Sequence, residues 1–256
     1  MKKTLCLLMI ICLVFSLVGC SSNTAADEST ITVAAAASLK NCLDDILIPM
    51  FQEKYPNIKI KTTYDSSGKL QTQIEEGADV DVFMSAAMKQ MNALDEKGLI
   101  AEDSIVQLLE NKIVLIVSTN NTKDLSKFED VLKADTIAIG DPESVPAGQY
   151  AKEALTNLGI WEEISRKASL GTNVTEVLNW VAEGSADAGI VYSTDAASTE
   201  KVKVVAEAPE GSVSKVIYPV GIVKTSKNQD LAKKFIDFLQ SDEAKEIFES
   251  FGFATN

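Results

Sequence analysis

The chain has 256 residues, a formal net charge of −13 and no histidine. The lack of histidine excludes Ser-His-Asp and Cys-His catalytic arrangements and the usual zinc sites. The acidic balance disfavours nucleic-acid binding, which requires a basic surface, so we expect no nucleic-acid partner.

The N-terminal segment predicts an export signal that ends in a lipid attachment site. A basic start precedes an apolar run over residues 5–18, which is too short to span a bilayer with margin. The ending Leu17-Val18-Gly19-Cys20 resembles a bacterial lipobox, which implies cleavage before Cys20 and lipidation of its thiol. We therefore predict a signal peptide over residues 1–19, a tether over residues 20–29 and an extracytoplasmic protein that is lipid-anchored to the cell membrane. A plain signal peptide with a chance cysteine is the alternative.

After the tether, short β-rich runs alternate with helical patterns. Strands are predicted at Ile31–Ala37, Ile58–Tyr64, Val80–Ser85, Ile113–Ser118, Thr136–Gly140, Gly189–Tyr192, Val202–Ala206 and Val216–Val223. Helices are predicted at Leu39–Lys54, Lys69–Glu76, Met88–Lys97, Gly148–Leu158, Val174–Glu183 and Asp230–Phe251, with a break near Ser241 in the last and a kink or end at Pro49 in the first. This alternation predicts parallel α/β sheets covered on both faces, and the length fits two small lobes as well as one large one.

Four of the helices begin at small, uncharged residues. These starts lie at Ser38, Ser66-Ser67, Pro146-Ala147-Gly148 and Asn173-Val174. Ser38 is predicted as an N-cap, Pro146 as the first helical residue, and Asn173 with Glu176 as a capping box. Because a helix N-terminus is partly positive, four such starts meeting at one place would bind an anion without formal charge. Taken singly, each start is more simply a cap.

The ordered set of motifs resembles the molybdate-binding proteins of bacterial ABC importers. The motifs are Ala35-Ala36-Ala37-Ser38-Leu39, Ser66-Ser67-Gly68-Lys69-Leu70, Asp81-Val82-Phe83-Met84-Ser85-Ala86, Gly140-Asp141-Pro142-Glu143, Val145-Pro146-Ala147-Gly148 and Ala188-Gly189-Ile190-Val191-Tyr192. The resemblance covers nearly all of the chain after the tether. It implies a type II periplasmic-binding-protein-like α/β fold with a ligand cleft between two lobes joined by crossing strands. Lobe 1 would be residues 30–111 plus 216–256, and lobe 2 residues 112–215.

The same resemblance implies a non-enzymatic protein that captures molybdate, and also tungstate, and delivers it to an ABC permease. Carried over residue by residue, the ligand contacts would be Ser38, Ser67, Ala147, Val174 and Tyr192. Both serines would donate a hydroxyl and a backbone N–H, Ala147 and Val174 a backbone N–H, and Tyr192 its phenol. No cofactor is implied, molybdenum would be bound only as the oxyanion, and we expect a monomer.

A site built only of neutral donors also predicts selectivity. Phosphate near neutral pH keeps a proton that such a site cannot accept, at a cost of about 1–3 kcal/mol. We read Asp65 as outward or capping and Asp141 as a turn former, so that neither carboxylate enters the site. We therefore expect the affinity for molybdate to be nearly flat between about pH 6 and 8.

Three alternatives stay open. The ligand could be another tetrahedral oxyanion such as sulfate. Paired acids such as Asp44-Asp45, Glu75-Glu76 and Asp79/Asp81 could suggest a metal cation, although a solvated face explains them more simply, because we expect these pairs at exposed helical positions. Cys42, the one cysteine after Cys20, cannot form a cysteine metal cluster. Ser66-Ser67-Gly68-Lys69 also matches the Ser-x-x-Lys motif of penicillin-recognising hydrolases, but the companion Ser-Asp-Asn and Lys-Thr-Gly motifs are missing from the sequence.

Overall fold

Two separate β-sheets organise the structure, a computed structural model that describes residues 29–255. The predicted signal peptide, the lipidation site Cys20 and the tether up to residue 28 lie outside the described residues. Ser29 was assigned to the tether from the sequence, which is wrong, because it begins the first strand and pairs with Ile58. Within residues 29–255, no helix is long and apolar enough to cross a membrane.

The first sheet combines strands from both ends of the described chain. With strands numbered in chain order, they are β1 (Ser29–Ala36), β2 (Ile58–Asp65), β3 (Val82–Met84), β4 (Val106–Asn111), β10 (Val216–Ile222) and β11 (Ala254–Thr255). Their spatial order is β11-β4-β10-β3-β1-β2. Strand β1 runs parallel to β2 and β3, whereas β10 runs antiparallel to β3 and β4.

The second sheet is built from one continuous stretch of chain. Its strands are β5 (Ile113–Ser118), β6 (Ile137–Gly140), β7 (Ala168–Gly171), β8 (Ala188–Tyr192) and β9 (Val202–Glu207). They lie in the order β7-β6-β8-β5-β9. We call each sheet with its covering helices a lobe. The chain passes between the lobes at Asn111–Lys112 and again over residues 208–215.

Helices cover both sheets. They are α1 (residues 37–54), α2 (Ser67–Glu75), α3 (Met88–Glu96), α4 (Pro146–Asn157), α5 (Trp161–Ile164), α6 (Val174–Ala182), α7 (Ser193–Ala197), α8 (Gln229–Leu239) and α9 (Asp242–Ser250), with a 3-10 helix at Phe128–Lys133. The predicted break near Ser241 is confirmed, because its hydroxyl caps α9 by accepting the N–H of Ala244 at 3.3 Å.

Side-chain alternation explains why the first sheet is covered on both faces. Val33 and Ala35 of β1 join the large hydrophobic core, whereas Ala34 between them joins a smaller cluster with Phe83 and Leu70. Successive side chains of a strand point to opposite faces, so both faces of β1 are apolar and both carry helices. The cover on both faces is as predicted, whereas the prediction of parallel sheets is wrong, because both sheets mix parallel and antiparallel pairs.

Helix α1 continues through Pro49, so of the kink or end predicted at this residue, the end is wrong. The segment changes from α-helix at Lys40–Cys42 to π-helix at Leu43–Leu47 and back to α-helix at Ile48–Lys54. In the π turn, the N–H of Ile48 bonds to the carbonyl of Leu43. Proline lies at the start of the last α segment, where its missing N–H is tolerated.

Candidate ligand-binding site

The five predicted contact residues line one small cavity between the lobes. Ser38 and Ser67 come from the first lobe, and Ala147, Val174 and Tyr192 come from the second. The remaining lining residues are Ala36, Ala37, Asp65, Ser66, Ala86, Val145 and Pro146. The structure therefore brings together residues that lie up to 154 positions apart, from Ser38 to Tyr192, at one place.

Three helix N-termini border this cavity. Ser67 and Val174 are the first residues of α2 and α6, and Ala147 follows Pro146 at the start of α4. Within residues 29–255, the N–H groups of these three residues make no backbone hydrogen bond. The first N–H groups of a helix have no partner inside it, so they are available to an anion.

Gly148 allows α4 to lie close to strand β6. A Cβ atom built at this position would lie 1.9 Å from the carbonyl oxygen of Gly140, which no side chain can tolerate. Glycine is therefore required for this approach, which carries the preceding Ala147 N–H into the cavity wall.

Ser38 lines the cavity, but its predicted role as an N-cap is wrong. It lies inside a 3-10 turn, Ala37–Leu39, and its hydroxyl makes no capping bond. The hydroxyl instead lies 3.0 Å from the phenol oxygen of Tyr218, on β10. In α6, Asn173 does cap the helix by accepting the N–H of Glu176 at 3.0 Å, whereas Glu176 reaches back to Thr172 rather than to Asn173.

The two serines of the second motif have different surroundings. The oxygen of Ser67 accepts the N–H of Ala86 at 3.0 Å, so the proton of this hydroxyl stays free for another acceptor. The neighbouring Ser66 is 3% exposed, and its hydroxyl has no hydrogen-bond partner among the described residues. Lys69 bonds instead to Asp65, at 3.2 Å. The Ser66–Lys69 contact that a Ser-x-x-Lys nucleophile needs is thus not formed.

Tyr192 is a buried donor at the inner wall. Its phenol donates to the carbonyl of Ala86 in the opposite lobe at 3.3 Å, and its ring packs edge-on against Tyr218. Burial, followed by the neighbouring Tyr218, raises the pKa of Tyr192 well above 10. The phenol therefore keeps its proton at every physiological pH. Because a phenol has one proton, donation to a ligand would replace the bond to Ala86.

Other hydrogen bonds join the lobes beside the cavity. The N–H of Gly68 donates to the carbonyl of Ser144 at 3.0 Å, and the amide of Gln90 donates to that of Gln149 at 3.1 Å. The lobes are therefore in direct contact in this structure.

The two carboxylates singled out in the sequence are both engaged locally. Asp65 accepts the N–H of Ser66 at 2.8 Å and pairs with Lys69, as a capping residue would, although it also lines the cavity. Asp141 accepts the N–H of Glu143 at 3.0 Å and forms the predicted turn. Neither is an unpaired charge facing the cavity.

The sequence reasoning missed a third carboxylate, Asp195. It is buried at the start of α7 and accepts the N–H of Tyr192 at 3.2 Å. Burial raises the pKa of Asp195 to about 7. A group that titrates near neutral pH therefore lies directly behind a predicted contact residue, which the expectation of a pH-independent site did not include. Only its Ser-Thr-Asp context at a helix start was visible in the sequence.

Among residues 29–255, no cluster of three or more His, Cys, Asp or Glu side chains could hold a metal ion. Of the paired acids considered for a cation, Asp81 is buried, so the exposed position expected for it is wrong, and it accepts the N–H of Thr32 at 2.7 Å. The other pairs are exposed or half-buried. Glu75, for example, pairs with Lys97 at 2.8 Å, and the hydrogen bond from this lysine lowers the pKa of Glu75.

Comparison with known proteins places this geometry in a family. Residues 31–254 match the family model described as bacterial extracellular solute-binding protein. The chain is 42% identical over 239 residues to the Bacillus subtilis (strain 168) protein named "Putative ABC transporter substrate-binding lipoprotein YvgL", with 92% of each chain covered. It is 40% identical over 239 residues to the molybdate-binding protein ModA of Escherichia coli (strain K12), covering 91% of this chain and 92% of that one.

The fold has a solved counterpart. The structure superposes on the periplasmic molybdate-binding protein of Azotobacter vinelandii with a TM-score of 0.78 and 22% identity, covering 88% of this chain and 99% of that one. This likeness confirms the predicted two-lobed periplasmic-binding-protein fold. Because the family model spans almost every described residue and relatives above 30% identity cover nine tenths of the chain, the protein belongs to the bacterial extracellular solute-binding proteins.

Proposed function

We propose that this protein captures molybdate outside the cytoplasm and delivers it to the permease of an ABC importer. The observation that carries the proposal is a single cavity lined by residues from both lobes, among them the five positions that the family resemblance implies. The names of the relatives from Escherichia coli and Bacillus subtilis, a molybdate-binding protein and an ABC transporter substrate-binding lipoprotein, support the same ligand and transporter class.

The proposed contacts are Ser38, Ser67, Ala147, Val174 and Tyr192. A doubly charged oxyanion loses its hydration when it enters the cavity and needs several hydrogen bonds in return. Hydrogen bonds to a charged group contribute about 1.5–3 kcal/mol each, and helix N-termini supply them in fixed directions. Neutral donors hold the anion without the strong charge pairing that would oppose its release to a permease.

The same donors favour molybdate and tungstate over phosphate and sulfate. Phosphate near pH 7 carries a proton, and none of the five proposed contacts is a carboxylate that could accept it. Asp65, the carboxylate in the cavity wall, is held by Ser66 and Lys69 through its Oδ1. Sulfate carries no such proton, but it is smaller, so that it cannot reach all donors of a cavity fitted to molybdate. We include tungstate because it shares the charge and tetrahedral shape of molybdate.

We also propose the lobe boundaries and the anchor predicted from the sequence. Strands of the first sheet fall within residues 30–111 plus 216–256 apart from Ser29, and strands of the second sheet within residues 112–215, which supports the boundaries. The word lipoprotein in the name of the Bacillus subtilis relative supports lipidation at Cys20. The proposed protein is a monomer tethered to the membrane.

Calorimetric titration of the purified protein with molybdate, tungstate, sulfate and phosphate tests the proposal. We expect tight binding of the first two anions, weaker binding of sulfate and little binding of phosphate. Preferential binding of sulfate would mean that sulfate is the ligand instead of molybdate, bound at the same oxyanion site. Binding of none of the four would refute the proposed function.

A further inference from the structure

A chain of hydrogen bonds runs from the first crossing between the lobes to the cavity. Asn111 is the last residue of β4, and its side chain contacts Lys112 at the crossing, Ser193 and Thr194 in the second lobe, and Tyr218 in the first. Tyr218 in turn contacts the hydroxyl of Ser38. Neither Asn111 nor Tyr218 lines the cavity itself.

The orientation of the Asn111 amide follows from one neighbour. The backbone N–H of Lys112 can only donate, so the atom facing it at 2.8 Å must be the amide oxygen, which also accepts from the hydroxyl of Ser193 at 2.9 Å. The amide nitrogen then faces Thr194 Oγ1 at 2.9 Å and the phenol of Tyr218 at 3.2 Å. Because this nitrogen can only donate, Tyr218 accepts from Asn111.

The proton of Tyr218 is therefore directed at Ser38. Tyr218 is 1% exposed, and burial raises its pKa well above 10, so the phenol is protonated. Besides Asn111, Ser38 Oγ lies 3.0 Å from this phenol. The phenol of Tyr192 is a further neighbour, but it donates its own proton to the carbonyl of Ala86. When Tyr218 donates to Ser38, the serine oxygen acts as an acceptor and its own proton is left to point elsewhere.

We infer that Tyr218 and Asn111 are positioning residues that direct the hydroxyl proton of Ser38 toward the bound oxyanion, an inference that rests on the proposed function. The bonds from Asn111 to Tyr218, from Tyr218 to Ser38 and from Ser38 to the anion all run in one direction. Asn111 also binds Ser193 and Thr194, so the orientation of Ser38 depends on how the lobes meet at the crossing.

A double-mutant cycle on molybdate affinity tests the role of Tyr218. The Tyr218→Phe substitution keeps the packing but removes the donor to Ser38. The Ser38 hydroxyl can then rotate among three staggered orientations, of which one points at the ligand. We therefore expect about threefold weaker binding of molybdate. In the Ser38→Ala background, the same change should cause no further loss. An equal loss in both backgrounds would indicate a merely structural role and would overturn the inference.

Tyr64→Phe is the matched control. It removes another partly buried phenol of the first lobe, which bonds to Asp44 and does not line the cavity, so molybdate affinity should stay at the wild-type value. If this variant also lost threefold, the effect of Tyr218→Phe would not be specific and the inference would fail.

Asn111→Asp tests the direction of the chain. The new carboxylate still accepts hydrogen bonds from Lys112 and Ser193 but cannot donate one to Tyr218. Tyr218 would then donate to the carboxylate. The hydroxyl of Ser38 would in turn donate to Tyr218 and no longer to the ligand. The added negative charge weakens anion binding whether or not Ser38 is present. The reversal of the hydrogen bonds weakens binding only when Ser38 is present. We therefore expect a larger fold-loss in the wild-type background than in Ser38→Ala, and equal losses would overturn the role of Asn111.

Failure of this inference and failure of the proposed function are distinguishable. If the wild-type protein does not bind molybdate, the proposed function is wrong and the inference falls with it. If the wild type binds molybdate but Tyr218→Phe binds equally well, only the inference is wrong.

Discussion

Ser67→Ala is expected to reduce both the stability of the protein and its affinity for molybdate. The Ser67 oxygen accepts the N–H of Ala86, and this N–H would be left buried without a partner. Such a loss costs about 1–3 kcal/mol, and for a chain of this size each kcal/mol lowers Tm by roughly 2–4 °C. Losing the hydroxyl donor to a dianion should cost another ~1.5–3 kcal/mol of binding, or about tenfold to 150-fold in Kd.

The neighbouring Ser66→Ala provides a matched control. Ser66 is equally small, buried and adjacent, but its hydroxyl has no partner among the described residues. Removing a buried hydroxyl without a partner costs no protein hydrogen bond, so the Tm should stay the same or rise. We expect its molybdate affinity to remain close to that of the wild type, because Ser67 is the serine proposed to contact the ligand.

Two measurements on both variants separate these effects. Thermal unfolding without ligand reports the Ala86 bond, and calorimetric titration with molybdate reports the contact with the anion. A stable Ser67→Ala variant with unchanged affinity, beside a Ser66→Ala variant that binds poorly, would refute the reasoning. That pattern would mean that the contact residue is Ser66.

Further outcomes follow from other residues. Tyr192→Phe should keep the packing but weaken molybdate binding by about 1.5–3 kcal/mol in calorimetry. Unchanged binding would show that the phenol does not contact the ligand. Burial raises the pKa of Asp195 from 3.8 to about 7 in the folded protein. The contribution of this group to the free energy of unfolding is therefore fully present below about pH 4 and is lost as the pH rises through about 7. Melting curves between pH 5 and 8 should therefore show wild-type stability falling relative to Asp195→Asn, and parallel curves would contradict this. Gly148→Ala should lower both Tm and molybdate affinity, since the helix must move away from Gly140, and wild-type values of both would show that the close approach is not needed. Cys20→Ala should release the protein from membrane fractions or block its processing, and identical fractionation would argue against the lipid anchor.

Local patterns predicted most of the elements that build the cavity. The helix starts at Ser67, Ala147 and Val174 were visible because Ser, Pro and Asn mark N-termini directly in the sequence. Strand β4 was missed because Gln107, Glu110 and Asn111 interrupt its apolar pattern.

The layer behind the cavity could not be predicted in the same way. Asn111 bonds to Thr194 and Tyr218 across 83 and 107 residues, and no local pattern encodes such pairs. The raised pKa of Asp195 likewise depends on burial that only the packed lobes provide. Five of the residues that line the cavity were thus named through the family resemblance, and three of these also stand at helix starts that local patterns mark, whereas the groups behind them were not predicted.

The position of β10 in the first sheet has a consequence for how the protein matures. This strand lies between β3 and β4, yet it is made more than 100 residues after β4. A chain that is translocated from its N-terminus can complete the second sheet as soon as residue 207 has emerged, but β3 and β4 keep unpaired edges until residue 222 arrives. The first lobe therefore closes last, and a nascent chain cannot sequester its ligand until translocation is almost finished.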